Sequence, residues 1–246
     1  MRESKVDIKT HDGEADGYLY QPDVKGTWPG VVMYTDIWGV RPVFQQMAKR
    51  LAAEGYVVLL PNIYYRTRHM PVFKDELPSF GDANGRAQLM ALKDTLTPDK
   101  VDRDAISYVE FLAMQEIVGG MKMGAVGYCM SGAFALRAAA ARPDRIAVAA
   151  SIHGGGLATD APDSPHLLLP KMKVRLYFAH ASEDASCPPD MIRKLEAACG
   201  KLGMRYESEQ YPGKHGFAVE SHAAYDAPSA DKHWRKLLTL FKETLH

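Results

Sequence analysis

Along the chain, short runs of consecutive apolar residues alternate with longer stretches in which apolar positions recur every three or four residues. The short runs are Val31-Val32-Met33-Tyr34, Tyr56-Val57-Val58-Leu59-Leu60, Met123-Gly124-Ala125-Val126, Ile146-Ala147-Val148-Ala149-Ala150 and Val174-Arg175-Leu176-Tyr177-Phe178. Apolar residues at successive positions, instead of every second one, fit strands buried on both faces of a parallel sheet. Between the first two runs, Phe44, Met47, Ala48 and Leu51 lie at helical spacing, and Gly55 supplies a stop. Residues 102–117 place Ala105, Ile106, Val109, Leu112 and Ala113 on one helical face, ended by Gly119-Gly120. A further helix starts near Pro188, with Ser186 before it and Met191, Ile192 and Leu195 inward; the last carries Trp234, Leu237, Leu238, Phe241 and Leu245.

This alternation predicts a single α/β domain over residues 1–246, with a mainly parallel central sheet flanked by helices. Ahead of it, Val6 to Lys9 and Tyr18 to Tyr20 flank His11-Asp12-Gly13 and predict an antiparallel hairpin at the sheet edge. Arg66 through Gly85 reads as irregular, and a loop of that length could border a site.

Composition narrows the function classes. The 246 residues include 30 Lys+Arg against 30 Asp+Glu, a balance that argues against nucleic acid or a charged membrane surface as partner. No apolar run approaches the roughly 18 residues of a membrane span, and the first residues lack a signal peptide's apolar core. Three cysteines form neither a disulfide framework nor a paired metal motif, so a reducing cytoplasm is the expected compartment. No metal constellation and no dinucleotide fingerprint is visible, and no cofactor is expected.

The sharpest local signal is Gly127-Tyr128-Cys129-Met130-Ser131-Gly132, a strand running into small residues and then a helix. A nucleophile elbow needs small side chains two residues before and after the nucleophile, because the turn crowds both places. Gly127 and Ser131 fill them around Cys129, whereas a Ser131 nucleophile would put Cys129 and Ala133 there, which is less favourable. A cysteine at a helix N-terminus is also favoured as thiolate. Such a thiol needs a base, and the base an orienting acid, in the chain order nucleophile, acid, histidine. Asp184 follows the run at Val174, and His215 sits in Gly213-Lys214-His215-Gly216. Alone, each reads as a turn carboxylate or a loop histidine; in this order with Cys129 they form a triad.

With these residues in place, the sequence resembles the dienelactone hydrolase family of the α/β-hydrolases. The resemblance rests on the Asp12-Gly13 hairpin, Tyr34-Thr35-Asp36-Ile37-Trp38-Gly39-Val40, Gly55-Tyr56 leading to Pro61-Asn62-Ile63-Tyr64, the Cys129 elbow, Asp184 and His215-Gly216-Phe217. It implies a cysteine hydrolase acting on a small-molecule ester or lactone through a thioester. It also implies that Asp36, where family members usually carry Glu, takes up the thiol proton; a helix cap near Arg41 is the alternative. The amides of Ile37 and Met130 would form the oxyanion hole.

Where relatives that act on carboxylated lactones carry an arginine four residues after the histidine, this chain has Val219; Arg86 is the match for a second arginine. Tyr64 either lines the pocket or packs at the sheet edge. His153-Gly154-Gly155-Gly156 follows the wrong strand for an oxyanion motif and reads as a flexible turn. A slow, ligand-binding relative and an acyltransferase with the same triad are the alternatives to hydrolysis. The oligomeric state stays open between monomer and weak dimer.

Overall fold

The computed structural model describes residues 1–74 and 76–246. The apolar runs become the middle of one eight-stranded sheet. Its strands are β1 (Arg2–Thr10), β2 (Gly13–Gln21), β3 (Gly30–Tyr34), β4 (Val57–Pro61), β5 (Met123–Tyr128), β6 (Ile146–Ile152), β7 (Arg175–Glu183) and β8 (Tyr206–Lys214), in the order β1-β2-β4-β3-β5-β6-β7-β8. The hairpin β1–β2 is antiparallel and joins β4 antiparallel, while β4 through β8 run parallel.

Every residue of β3, β4 and β5 is buried, because helices cover both faces. Helices α1 (Pro42–Ala53) and α6 (Ala227–Leu245) pack on the face carrying Val31, Met33 and Val126. Helices α3 (Pro98–Ala113) and α4 (Gly132–Ala141) cover the face carrying Val32, Tyr34 and Ala125. Helix α2 (Ala83–Lys93) precedes α3, and α5 (Pro189–Lys201) joins β7 to β8. Among the described residues, no helix is long and apolar enough to cross a membrane.

The chain leaves β3 toward β4 and later returns past β3 to form β5. In parallel sheets, such a reversal opens a crevice at the carboxyl ends of the two strands, where ligands bind. Ile37 follows β3 and Cys129 follows β5, so both stand at this crevice.

Two expectations shift. Helix α3 runs from Pro98 to Ala113, not from 102 to 117, since Gln115 to Val118 turn away and Val118 bridges Trp28. Its inward face centres on Val101, Asp104, Ala105, Tyr108 and Leu112, which leaves Ile106 exposed. The charged Asp104 obscures that face in the sequence. It is buried because Arg66 and the Tyr65 hydroxyl, both distant in sequence, bind its carboxylate at 2.7 and 2.9 Å.

Candidate active site

Strand β5 delivers Cys129 into a single 3-10 turn, Cys129–Ser131, that leads directly into α4. The cysteine has φ +58°, in the left-handed region that favours glycine, so the backbone reverses sharply there. Gly127 permits the reversal, because a Cβ at that position would lie 1.8 Å from the Ser131 carbonyl oxygen. Cys129 lines a cavity of about 710 Å³, whereas Ser131 is fully buried beneath the turn.

The His153 run is not a loose turn, contrary to the sequence expectation. His153 is buried at φ +38°, and its Nδ1 accepts the Cys129 N–H at 3.2 Å. The Ser151 hydroxyl fills the gap between the two turns, 2.2 Å from where a Gly132 Cβ would sit and 2.0 Å from where a Gly154 Cβ would sit. Glycine is needed at both places for this close approach. Burial and the neighbouring His215 push the His153 imidazole well below its ordinary range, so it stays neutral and able to accept.

His215 lies just past β8, and its Nδ1 is 2.7 Å from Oδ2 of Asp184, which follows β7. Ser186 completes the arrangement: its N–H and hydroxyl donate to Asp184 Oδ1 at 2.8 and 2.5 Å, and its Oγ lies 3.0 Å from His215 Nδ1. Burial alone would lower the imidazole, but Asp184 and the nearby Cys129 sulfur carry it up to about 10. Burial also works to raise Asp184, yet the bonds from His215 and Ser186 outweigh it and hold the carboxylate below its usual range.

Asp36 is buried beside the cavity, and Arg41 clamps it through two contacts of 2.6 and 2.7 Å. It also accepts the Trp38 N–H at 3.0 Å. It is not a helix cap, since Arg41 itself stands at the N-cap of α1. The same guanidinium reaches Ser221 Oγ at 3.3 Å, tying the loop after β3 to the segment after His215. Ile37 and Met130 both line the cavity, and among the described residues the Ile37 N–H has no protein acceptor. The buried Tyr64 hydroxyl donates to the Ile37 carbonyl at 2.9 Å, so Tyr64 supports this loop from behind instead of lining the cavity.

The two expected positions for substrate cations hold none at the cavity. Val219 is fully buried in the core beside α6. Arg86 does not line the cavity; its Nε donates to the Phe80 carbonyl at 3.2 Å. Lys93, at the other end of α2, does line it, along with Met90. Among the described residues, Lys93 meets no carboxylate within salt-bridge distance, while both acids at the cavity are paired, Asp36 with Arg41 and Asp184 with His215. Phe80, from the irregular segment, closes one wall and packs edge-on against Trp38 at 5.4 Å.

Sequence reasoning missed Arg41, Lys93, His153 and Ser186. The spacing Asp184-x-Ser186 was a usable signal, because a serine two residues after an aspartate commonly donates back to it. Lys93 lies seven residues after Arg86, about two helical turns further on, so it shares that residue's face. His153 carries no local signature, since its partner Cys129 is brought to it by strand order, and Arg41 meets Asp36 five residues back within the loop after β3, a pairing that no sequence pattern marks.

Residues 15–245 match the profile of the dienelactone hydrolase family. A protein of Synechocystis sp. named "Putative carboxymethylenebutenolidase" is 28% identical over 249 residues, covering 100% of this chain and 98% of that protein. The carboxymethylenebutenolidase of Rhodococcus opacus is 30% identical over 129 residues, 52% of this chain and 45% of its own. The crystal structure of a dienelactone hydrolase-like promiscuous phosphotriesterase from metagenomic libraries superposes with a TM-score of 0.81 at 20% identity, covering 100% of this chain and 99% of that one. The chain belongs to the dienelactone hydrolase family and is a lactone or ester hydrolase.

Proposed function

We propose that the chain hydrolyses carboxylic esters or lactones with Cys129 as nucleophile, His215 as proton carrier and Asp184 as the group that orients the imidazole. The observation that carries this reading is the strained Cys129 turn beside a histidine held by a buried carboxylate at 2.7 Å. His215 Nε2 takes the thiol proton as the sulfur attacks the carbonyl carbon, and Asp184, 2.7 Å from Nδ1, steadies the imidazolium that forms. The carbonyl oxygen takes up the negative charge between the Ile37 and Met130 amides. As the tetrahedral intermediate collapses, His215 Nε2 gives its proton to the departing alkoxide, and an S-acyl bond to Cys129 remains. The neutral imidazole then takes a proton from water, the hydroxide adds to the thioester, and the acid leaves as the thiol re-forms.

Asp36, on this reading, is a positioning residue. Its carboxylate is committed to Arg41 and the Trp38 amide, which fixes the loop presenting Ile37. Lys93 supplies the cation that recognises an acidic substituent on the substrate, a task that Arg86 and Val219 do not perform from where they lie.

The test is turnover of p-nitrophenyl acetate, with quenched samples examined by mass spectrometry. Wild type should hydrolyse the ester and show an acetyl adduct on the Cys129 peptide, and Cys129→Ala should lose at least a thousandfold in kcat/KM. Undiminished turnover by Cys129→Ala, or an acyl group on another residue, would overturn the assignment.

A further inference from the structure

Beside the cavity around Cys129 lies a second one of about 400 Å³, and the two share Lys93, Met130, Gly155, Gly156 and Thr159. Met130, the residue after the nucleophile, stands at their junction. The second cavity is a groove walled mainly by apolar side chains, among them Leu96, Val101, Ala133, Phe134 and Pro165. Its one cation beyond Lys93 is already satisfied: the Arg137 guanidinium bonds Asp102 at 2.7 Å and the Asp163 carbonyl at 3.0 Å. Beyond Lys93, which both cavities share, an anionic arm therefore has no free cation in the groove, and the Asp94 and Asp163 side chains that also line it disfavour one, whereas an apolar arm meets apolar walls.

The direction of the groove indicates which part of an ester enters it. Leu96, Met130, Ala133 and Phe134 pack on the sheet face covered by α3 and α4, while Phe217, beside His215, belongs to the core of the opposite face. His215 must meet the leaving oxygen, so the leaving group lies on its side of Cys129. The acyl chain extends the other way, past Met130.

Resting on the hydrolytic reading above, we infer that this groove binds the apolar tail of the acyl group, so that the enzyme takes esters of medium-chain acids or lactones bearing an alkyl chain on the acyl side. Each methylene that leaves water adds about three- to fourfold to kcat/KM until the groove is filled.

The experiment keeps the leaving group constant and varies the acyl group, with p-nitrophenyl acetate, butyrate, hexanoate and octanoate as probes. Wild type is compared with Ala133→Leu, which narrows the floor beside Met130, and with Thr97→Trp, which fills the outer lip where an exposed residue tolerates exchange. The expected result is a rise in kcat/KM with acyl length in wild type and at least a tenfold fall in the octanoate-to-acetate ratio in both variants. A flat profile in wild type, or a ratio untouched by either variant, overturns the groove and leaves hydrolysis standing. Absence of turnover even on acetate would instead count against the hydrolytic reading, and calorimetric binding of octanoate then reads the groove directly. Binding weakened at least tenfold by Thr97→Trp supports the groove, and binding that is absent or indifferent to the variant sinks it.

Discussion

Arg41 and Asp36 show how much a single ion pair can organise around a reactive centre. Their side chains are 9% and 3% exposed, and the pair joins the loop after β3, the start of α1 and the segment that follows His215. Removing one partner of a buried pair strands the other charge, at a cost of about 3–5 kcal/mol. Asp36→Asn and Arg41→Met should each lower stability by that order in urea unfolding. The double variant should lose no more than the worse single one, because the second change removes the stranded charge. Additive losses would show that the two side chains act independently. The strand-helix turn at Gly127, Cys129 and Ser131 was legible because its glycine and small residues answer a local steric demand, whereas Arg41 was not, because its pairing with Asp36, five residues back in the loop after β3, follows no sequence pattern.

At the scale of elements, β3 to β7 were legible because both their faces are covered, so their apolar runs are continuous. Strand β8 has no such run: Glu207 pairs with Arg175 at 2.7 Å and Glu209 with Lys232, so ion pairs stand where apolar side chains would otherwise pack. Helix α2 was expected to bring a cation to the cavity at Arg86, and it brings Lys93 there instead, two turns further on, because its C-terminal end is the one that meets the cavity. Lys93→Met should therefore raise KM for a carboxylate-bearing lactone at least tenfold and change a neutral ester by less than threefold. Arg86→Met should leave that selectivity as in wild type. Steady-state kinetics on a matched pair of acidic and neutral substrates decides between the two residues.

Across the whole molecule, several histidines are held neutral by burial. His153 is pushed well down, His180 to about 4 and His233 to about 3, all chiefly because their rings have left water. In the unfolded chain each regains a pKa near 6.5. Below that pH the unfolded state binds more protons than the folded one, so the stability these residues allow is present above pH 6.5 and lost as pH falls toward 4. Three such groups give a slope of up to about 4 kcal/mol per pH unit. His215 has the opposite sign: its contribution is complete below 6.5 and is lost as pH rises toward 10. Thermal unfolding followed from pH 7.5 to 4.5 should show a steep fall in Tm beginning near 6.5, and His233→Phe should flatten it. A Tm insensitive to acid across that interval would contradict the burial of these rings.

The Ser151 hydroxyl, wedged between Gly132 and Gly154, has a consequence for how the site comes apart. Cys129 and His153 both hold backbone conformations that neither would keep alone, and the two turns brace each other through the amide-imidazole bond, the Gly155 N–H donated to the Cys129 carbonyl at 3.3 Å, and that hydroxyl packed between them. Neither turn can relax without displacing β6, which lies inside the sheet. The Cys129 turn and its imidazole brace therefore form one cooperative opening unit, released with the central strands instead of fraying with the loops around it.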